Sequence, residues 1–223
     1  NVKQCEVRTS PNCLFPQWDP KLHKWDEGGF CMEETLTGGA CIGDIDGNGF
    51  DDIYYARLDG SDRLYLNNGR GKFIDATASA GLDRPHLKSN GCYIFDIDND
   101  GDNDIYVSTM GNTQFYLYVN QDGEGHFKEE AKKRGLDNSK TFQRKTAGFS
   151  IAVSDYDLDG DLDVITTEWF PWLDHVEHEH EQSMKIEYRN ATNARFFENL
   201  GPGNNTGYFR EVTDDANIRG DIR

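Results

Sequence analysis

Three short stretches concentrate carboxylates at alternate positions: "DIDGNGFDDIYY" from Asp44, "DIDNDGDNDIYV" from Asp96 and "DYDLDGDLDVIT" from Asp155. Each carries an acid at positions 1 and 3, Asp or Asn at 5, Gly at 6 and Asp at 9. Like charges this close repel unless a divalent cation sits among them. Calcium takes roughly six to eight oxygen ligands, supplied by alternate residues of a tight loop with a Gly at the sharp turn. The chemistry read from the spacing is therefore calcium ligation at three sites. The first would use the side chains of Asp44, Asp46, Asn48 and Asp52 with the carbonyl of Phe50. The second would use Asp96, Asp98, Asp100 and Asp104 with the carbonyl of Asp102. The third would use Asp155, Asp157, Asp159 and Asp163 with the carbonyl of Asp161.

The elements that hold these loops are not helices. A helix–loop–helix calcium site closes with a bidentate Glu at its twelfth position, where this chain has Tyr55, Val107 and Thr166. Each loop instead runs into β-branched and aromatic residues, "DIYY", "DIYV" and "DVIT", the composition of strands. Small or apolar segments precede the loops: "GGACIG", "NGCYIF" and "GFSIAVS". After each loop come "RLYLNNGRGKFIDATASAGL", "FYLYVNQDGEGHFKEEAKKRGL" and "RFFENLGPGNNTGYFREVTDDANI". Each of these reads as a strand, a Gly-containing turn, a second strand opening on an aromatic, and an exit. One unit is then four short antiparallel strands with the acidic loop between the first two. The loops recur after 52 and then 59 residues. Four-stranded units repeated at about 40 to 50 residues are the mark of propeller blades.

The pattern D-x-D-x-D-G-x-x-D between strands, followed by L-Y-x-N-x-G-x-G-x-F-x-D-x-T-x-x-A-G-L, resembles the FG-GAP/VCBS repeat of integrin α-chain propellers. It is similar in particular to the cartilage acidic protein (ASPIC) group of secreted proteins. The likeness runs from Phe30 to Ile218. It implies an all-β fold: a calcium-bearing β-propeller, outside the cell or on its surface, used for adhesion or matrix contact. The domain reading is residues 1–29 as a non-repeat segment that caps or covers an edge, and residues 30–223 as the blades. Only three complete units and one further strand, "FCMEET" from Phe30, are present. A closed propeller needs about four blades or more, and open blades leave unpaired edges. The expectation is a partial propeller, a portion of a longer protein or one completed by another chain.

The chain has 223 residues, 36% of them hydrophobic, and a formal charge of −17. That charge argues against binding nucleic acid or an anionic membrane by bulk electrostatics. No apolar run approaches the roughly 20 residues of a membrane span, and no leader-like segment opens the sequence, as in a chain read after one has been removed. Five cysteines, at 5, 13, 31, 41 and 92, point to an oxidising, extracellular setting. The expected pairs are Cys5 with Cys13 and Cys31 with Cys41, leaving one thiol over. Asn190 and Asn204 open N-glycosylation sequons.

The third unit departs from the others by an insertion at 168–194, where the first two units spend only a short loop. It would rise from the face opposite the acidic loops. Its Trp169, Phe170, Trp172 and Tyr188 are aromatics of the kind enriched at interfaces. They are candidates for partner binding, or else they pack down to anchor the loop. His175, His178 and His180 raise a transition-metal alternative. Glu177, Glu179 and Glu181 interleave with them and favour a solvated charged stretch.

Three function classes follow. The first is a calcium-stabilised extracellular module that contacts a protein, or a glycan, or a chain completing the propeller. The second is a glycan-binding or glycan-cleaving propeller, lectin or polysaccharide lyase. The third is a metal-dependent enzyme using the His-rich insertion. The sequence holds neither a G-x-S-x-G elbow nor a Gly-rich phosphate loop. The acidic residues are already assigned to calcium, so the weight falls on the non-enzymatic reading.

Overall fold

In the computed structural model, the residues described are 13–19 and 24–31 (backbone only), 38–57, 60–84, 87–110, 114–139, 148–168, 194–201 and 206–216. The chain divides into two units, residues 1–37 and 38–223. In the first, β1 (Cys13–Asp19) and β2 (Lys24–Cys31) pair antiparallel as a two-stranded sheet. Phe30 and Cys31, expected to open a lone outer strand, instead close β2, opposite Phe15 and Cys13 of β1.

The second unit holds three four-stranded antiparallel sheets, each with its strands in chain order. The first is β3 (Ala40–Gly43), β4 (Asp52–Tyr55), β5 (Arg63–Asn67) and β6 (Phe73–Asp75). The second is β7 (Ser89–Phe95), β8 (Asp104–Thr109), β9 (Tyr116–Asn120) and β10 (Phe127–Glu129), followed by the one-turn helix α1 (Ala131–Arg134). The third is β11 (Gly148–Ser154), β12 (Asp163–Glu168), β13 (Arg195–Asn199) and β14 (Phe209–Glu211). Each sheet is the four-strand unit read from the sequence, with the acidic loop as the turn between its first two strands.

Two hydrophobic clusters hold the sheets face to face, and the strand period of two divides the residues between them. In β8, Ile105 and Val107 pack with Tyr54 and Leu64 of the first sheet and Ile45 of its acidic loop. Tyr106, one residue out of phase, packs with Val164 and Phe197 of the third. Every residue of β8 is consequently buried, so the second sheet lies between the other two. Burying an Ile, Val or Phe side chain in this way contributes about 1.5–3 kcal/mol. Two of the buried tyrosine hydroxyls are satisfied: Tyr54 Oη donates to Asp62 Oδ2 at 2.6 Å and Tyr106 Oη to the Leu136 carbonyl at 2.7 Å, whereas Tyr118 Oη is buried with no partner.

A disulfide joins Cys41 of β3 to Cys92 of β7, 5.7 Å apart at Cα. This corrects the expected pairing of Cys41 with Cys31. The partners are 51 residues apart in sequence, and only the stacking of two first strands brings them together. Cys5, the expected partner of Cys13, lies outside the described residues.

A candidate metal centre repeated three times

The three acidic loops share one internal wiring. At position 1, Asp44, Asp96 and Asp155 accept the position-5 backbone N–H on Oδ1, at 3.1, 3.2 and 3.2 Å. Their Oδ2 atoms accept the N–H of the following glycine at 2.8, 3.0 and 3.1 Å. That glycine (Gly49, Gly101, Gly160) has φ of +86°, +97° and +98°, a region costly to other residues. At position 5, Asn48, Asp100 and Asp159 accept the position-7 N–H at 2.8, 3.0 and 3.0 Å. The loop backbone thus turns its donors onto its own side chains.

Position 9 closes each loop. Asp52, Asp104 and Asp163 accept on Oδ2 from the position-2 N–H of Ile45, Ile97 and Tyr156, at 2.8, 3.0 and 3.1 Å. Their Oδ1 atoms accept the N–H of Asn67, Asn120 and Asn199, at 2.6, 2.8 and 2.8 Å. The ninth carboxylate therefore ties the loop to the third strand of its own sheet.

The outcome is convergence. Asp44, Asp46 and Asp52 bring one oxygen each within 4.8 Å of one another. Asp96, Asp98 and Asp104 do the same, as do Asp155, Asp157 and Asp163. Positions 1, 3 and 9 form the centre, whereas Asp100 and Asp159 at position 5 are not in these groups and instead cap the seventh N–H. A further exposed set, Asp122, Glu124 and His126, also converges.

Burial raises the pKa of Asp52, Asp98, Asp161 and Asp163, and pushes that of Asp104 up to about 7. In each loop a buried ninth carboxylate converges with two less buried ones, and like charges gathered around a buried acid are costly without a counter-charge. A bound divalent cation would be the largest local charge and would reverse that effect. One orphaned atom fits such a cation: Asp98 Oδ1 is buried with no hydrogen-bond partner. All-oxygen donor sets suit the hard ions calcium, magnesium or manganese.

Two features escaped the sequence reading. The side chain of Asp161, beside the carbonyl assigned to the ion, is buried and accepts from Asn99 Nδ2 at 2.5 Å. The asparagine that ends the third strand was not assigned at all. Its backbone braces the ninth acid, and its side chain reaches the preceding sheet. Asn120 Nδ2 donates to the Ile45 carbonyl at 2.9 Å, and Asn199 Nδ2 to the Ile97 carbonyl at 3.2 Å. Its recurrence as "LYLN", "LYVN" and "FFEN" was the available signal. The insertion residues Trp169, Phe170, Trp172, His175, His178, His180, Tyr188 and Asn190 lie outside the described residues, as does Asn204.

The sequence model of the FG-GAP-like repeat matches residues 44–107 and 96–166. Cartilage acidic protein 1 of Mus musculus is 31% identical over 131 residues, 58% of this chain and 19% of that protein. The Homo sapiens protein of the same name is 31% identical over 127 residues, 56% of this chain and 18% of its own length. This chain thus matches about a fifth of the length of these relatives. Among solved structures, an Agrocybe aegerita lectin described as recognising non-reducing terminal N-acetylglucosamine aligns with a TM-score of 0.42 and 22% identity. That alignment covers 79% of this chain and 38% of the lectin.

Proposed function

The chain belongs to the FG-GAP-like repeat family, and from that premise we propose that it is a calcium-stabilised part of an extracellular β-propeller that serves as a protein-interaction module. The carrying observation is the threefold repetition of one loop in which positions 1, 3 and 9 converge. Calcium would be held by Asp44, Asp46 and Asp52, by Asp96, Asp98 and Asp104, and by Asp155, Asp157 and Asp163. Position-7 carbonyls and water would complete each shell. The ion supplies charge and rigidity, not chemistry on a substrate. This chain's own residues fix the loop backbone, space the acids and pass the constraint to the neighbouring sheet through Asn120 and Asn199.

An extracellular location is supported by the Cys41–Cys92 disulfide, which suits an oxidising compartment. Among the described residues no helix is long and apolar enough to cross a membrane. Extracellular modules bind calcium at about 10⁻⁴ to 10⁻³ M, the range expected of these loops. The interaction role is tested on an array of glycans, with calcium and with chelator, beside direct binding to extracellular matrix proteins. The proposal expects calcium-dependent binding to a protein. Saturable, calcium-dependent binding to one glycan without protein binding would replace it with the lectin reading.

A further inference from the structure

The second and third loops carry the same five acids, at positions 1, 3, 5, 7 and 9, but their surroundings differ by one cation. Arg134, at the end of α1, reaches the second loop, and its Nη2 lies 2.8 Å from Asp98 Oδ2. Among the described residues, this is the one ion pair made by the nine converging acids. Arg134 is itself tightly held. Its side chain is 9% exposed, and its Nε lies 3.0 Å from Glu130 Oε2. Nη1 donates to the Gly207 carbonyl in the third sheet's last turn at 3.3 Å, and the guanidinium carbon sits 5.4 Å from the centre of the Tyr208 ring. Gly207, at φ +76°, permits this approach, because a Cβ there would lie 2.6 Å from the Asp98 Cβ and would strike Nη1. The remaining Asp98 oxygen, Oδ1, is buried and unpartnered.

We propose that Arg134 is a resident counter-cation of the second loop: it positions Asp98, weakens calcium at that loop relative to the third, and ties the loop to the third sheet. The inference rests on calcium occupying these loops. A fixed positive charge against one ligand disfavours a second cation, while the same fork holds the ligand in place and links two sheets. The second loop is therefore partly neutralised before calcium arrives. Arg134 acts through Asp98, so its role is positioning.

The test is calcium titration by calorimetry on the full chain, for the wild type, R134M, R134K, D96N, D155N and D96N/R134M, with calcium-free melting of each. D96N should remove a site weaker than the one removed by D155N. R134M should tighten the D96N-sensitive site on the order of tenfold or more, the effect of deleting one nearby unit charge. It should also lower the calcium-free melting temperature, while D96N/R134M should bind like D96N. R134K keeps the charge and should keep the site weak while losing the fork. It also serves as the folded comparison if R134M does not fold. Equal second and third sites in the wild type, or R134K tightening the site as R134M does, would overturn the proposal. A melting change in R134M with no change in calcium affinity would overturn it too. Absence of calcium binding to any variant would sink the calcium reading itself, and this inference with it.

Discussion

Replacing Asn120 by Ala should destabilise the fold by about 2–4 kcal/mol while leaving the second loop's ninth acid in place. Asn120 is 2% exposed. Its Nδ2 donates to the Ile45 carbonyl at 2.9 Å, and its Oδ1 accepts the Gly125 N–H at 3.3 Å. Alanine removes both partners at once, and an unsatisfied buried polar group costs about 1–3 kcal/mol. Two such groups, with some relief from relaxation or water, give the stated range, a large part of a total stability of about 5–15 kcal/mol. The Asn120 backbone N–H still binds Asp104 Oδ1 at 2.8 Å in the variant. Calcium affinity of the second loop should therefore fall much less than stability. Asn120→Asp separates the two bonds, since a carboxylate still accepts from Gly125 but no longer donates to Ile45, and it adds charge beside the loop. It should be worse than Ala above neutral pH. Urea unfolding in saturating calcium measures the effect. A loss below about 0.5 kcal/mol for Asn120→Ala would refute the claim that this asparagine joins the first and second sheets.

Further outcomes follow from the same geometry. Asp104, raised by burial to about 7 in the metal-free fold, gives its full stabilisation as a neutral acid below about 4 and loses it as pH rises through about 7. Asp52 and Asp163 shift in the same direction. In chelator the protein should thus melt higher at pH 5.5 than at pH 8, and in excess calcium the order should reverse because protons compete with the ion. Glu130 behaves oppositely: burial pushes it up, but hydrogen bonds from Lys128, Lys133 and Arg134 outweigh this and hold it near about 2. Its contribution is complete above about 4.5 and lost as pH falls through about 2, outside that window. Removing the Cys41–Cys92 bond by double Ser substitution should cost about 4 kcal/mol, the loop-closure value for cysteines 51 residues apart, read by urea unfolding. Leu158, 87% exposed in the left-handed region at φ +63°, should gain about 0.5–1 kcal/mol on change to Gly, the residue at the matching position 47 of the first loop.

What could be read from the sequence was local. The ligand spacing lies within nine residues, and each loop flows into the strand that carries it, so pattern alone placed Asp44, Asp96 and Asp155 at the turns. The four-strand units followed for the same reason. What escaped depends on how sheets stack. Cys41 meets Cys92 because β3 and β7 are neighbouring first strands, a relation that spacing does not encode. Arg134 reads as one basic residue among several in "KKRG", and only the approach of Gly207 and Asp98 gives it a role. The bond that the Asp161 side chain accepts was likewise illegible, because its donor, Asn99, belongs to the neighbouring loop. Asn120 and Asn199 recur visibly, but the carbonyl each reaches belongs to the previous repeat.

Diffraction from crystals grown in millimolar calcium, collected for the anomalous signal of the ion, bears most directly on the central claim. The account expects a peak between the first, third and ninth carboxylates of each loop, with Asp98 bridging its ion and Arg134. Loops without such a peak, their acids held apart by water or protonated in pairs, would contradict it.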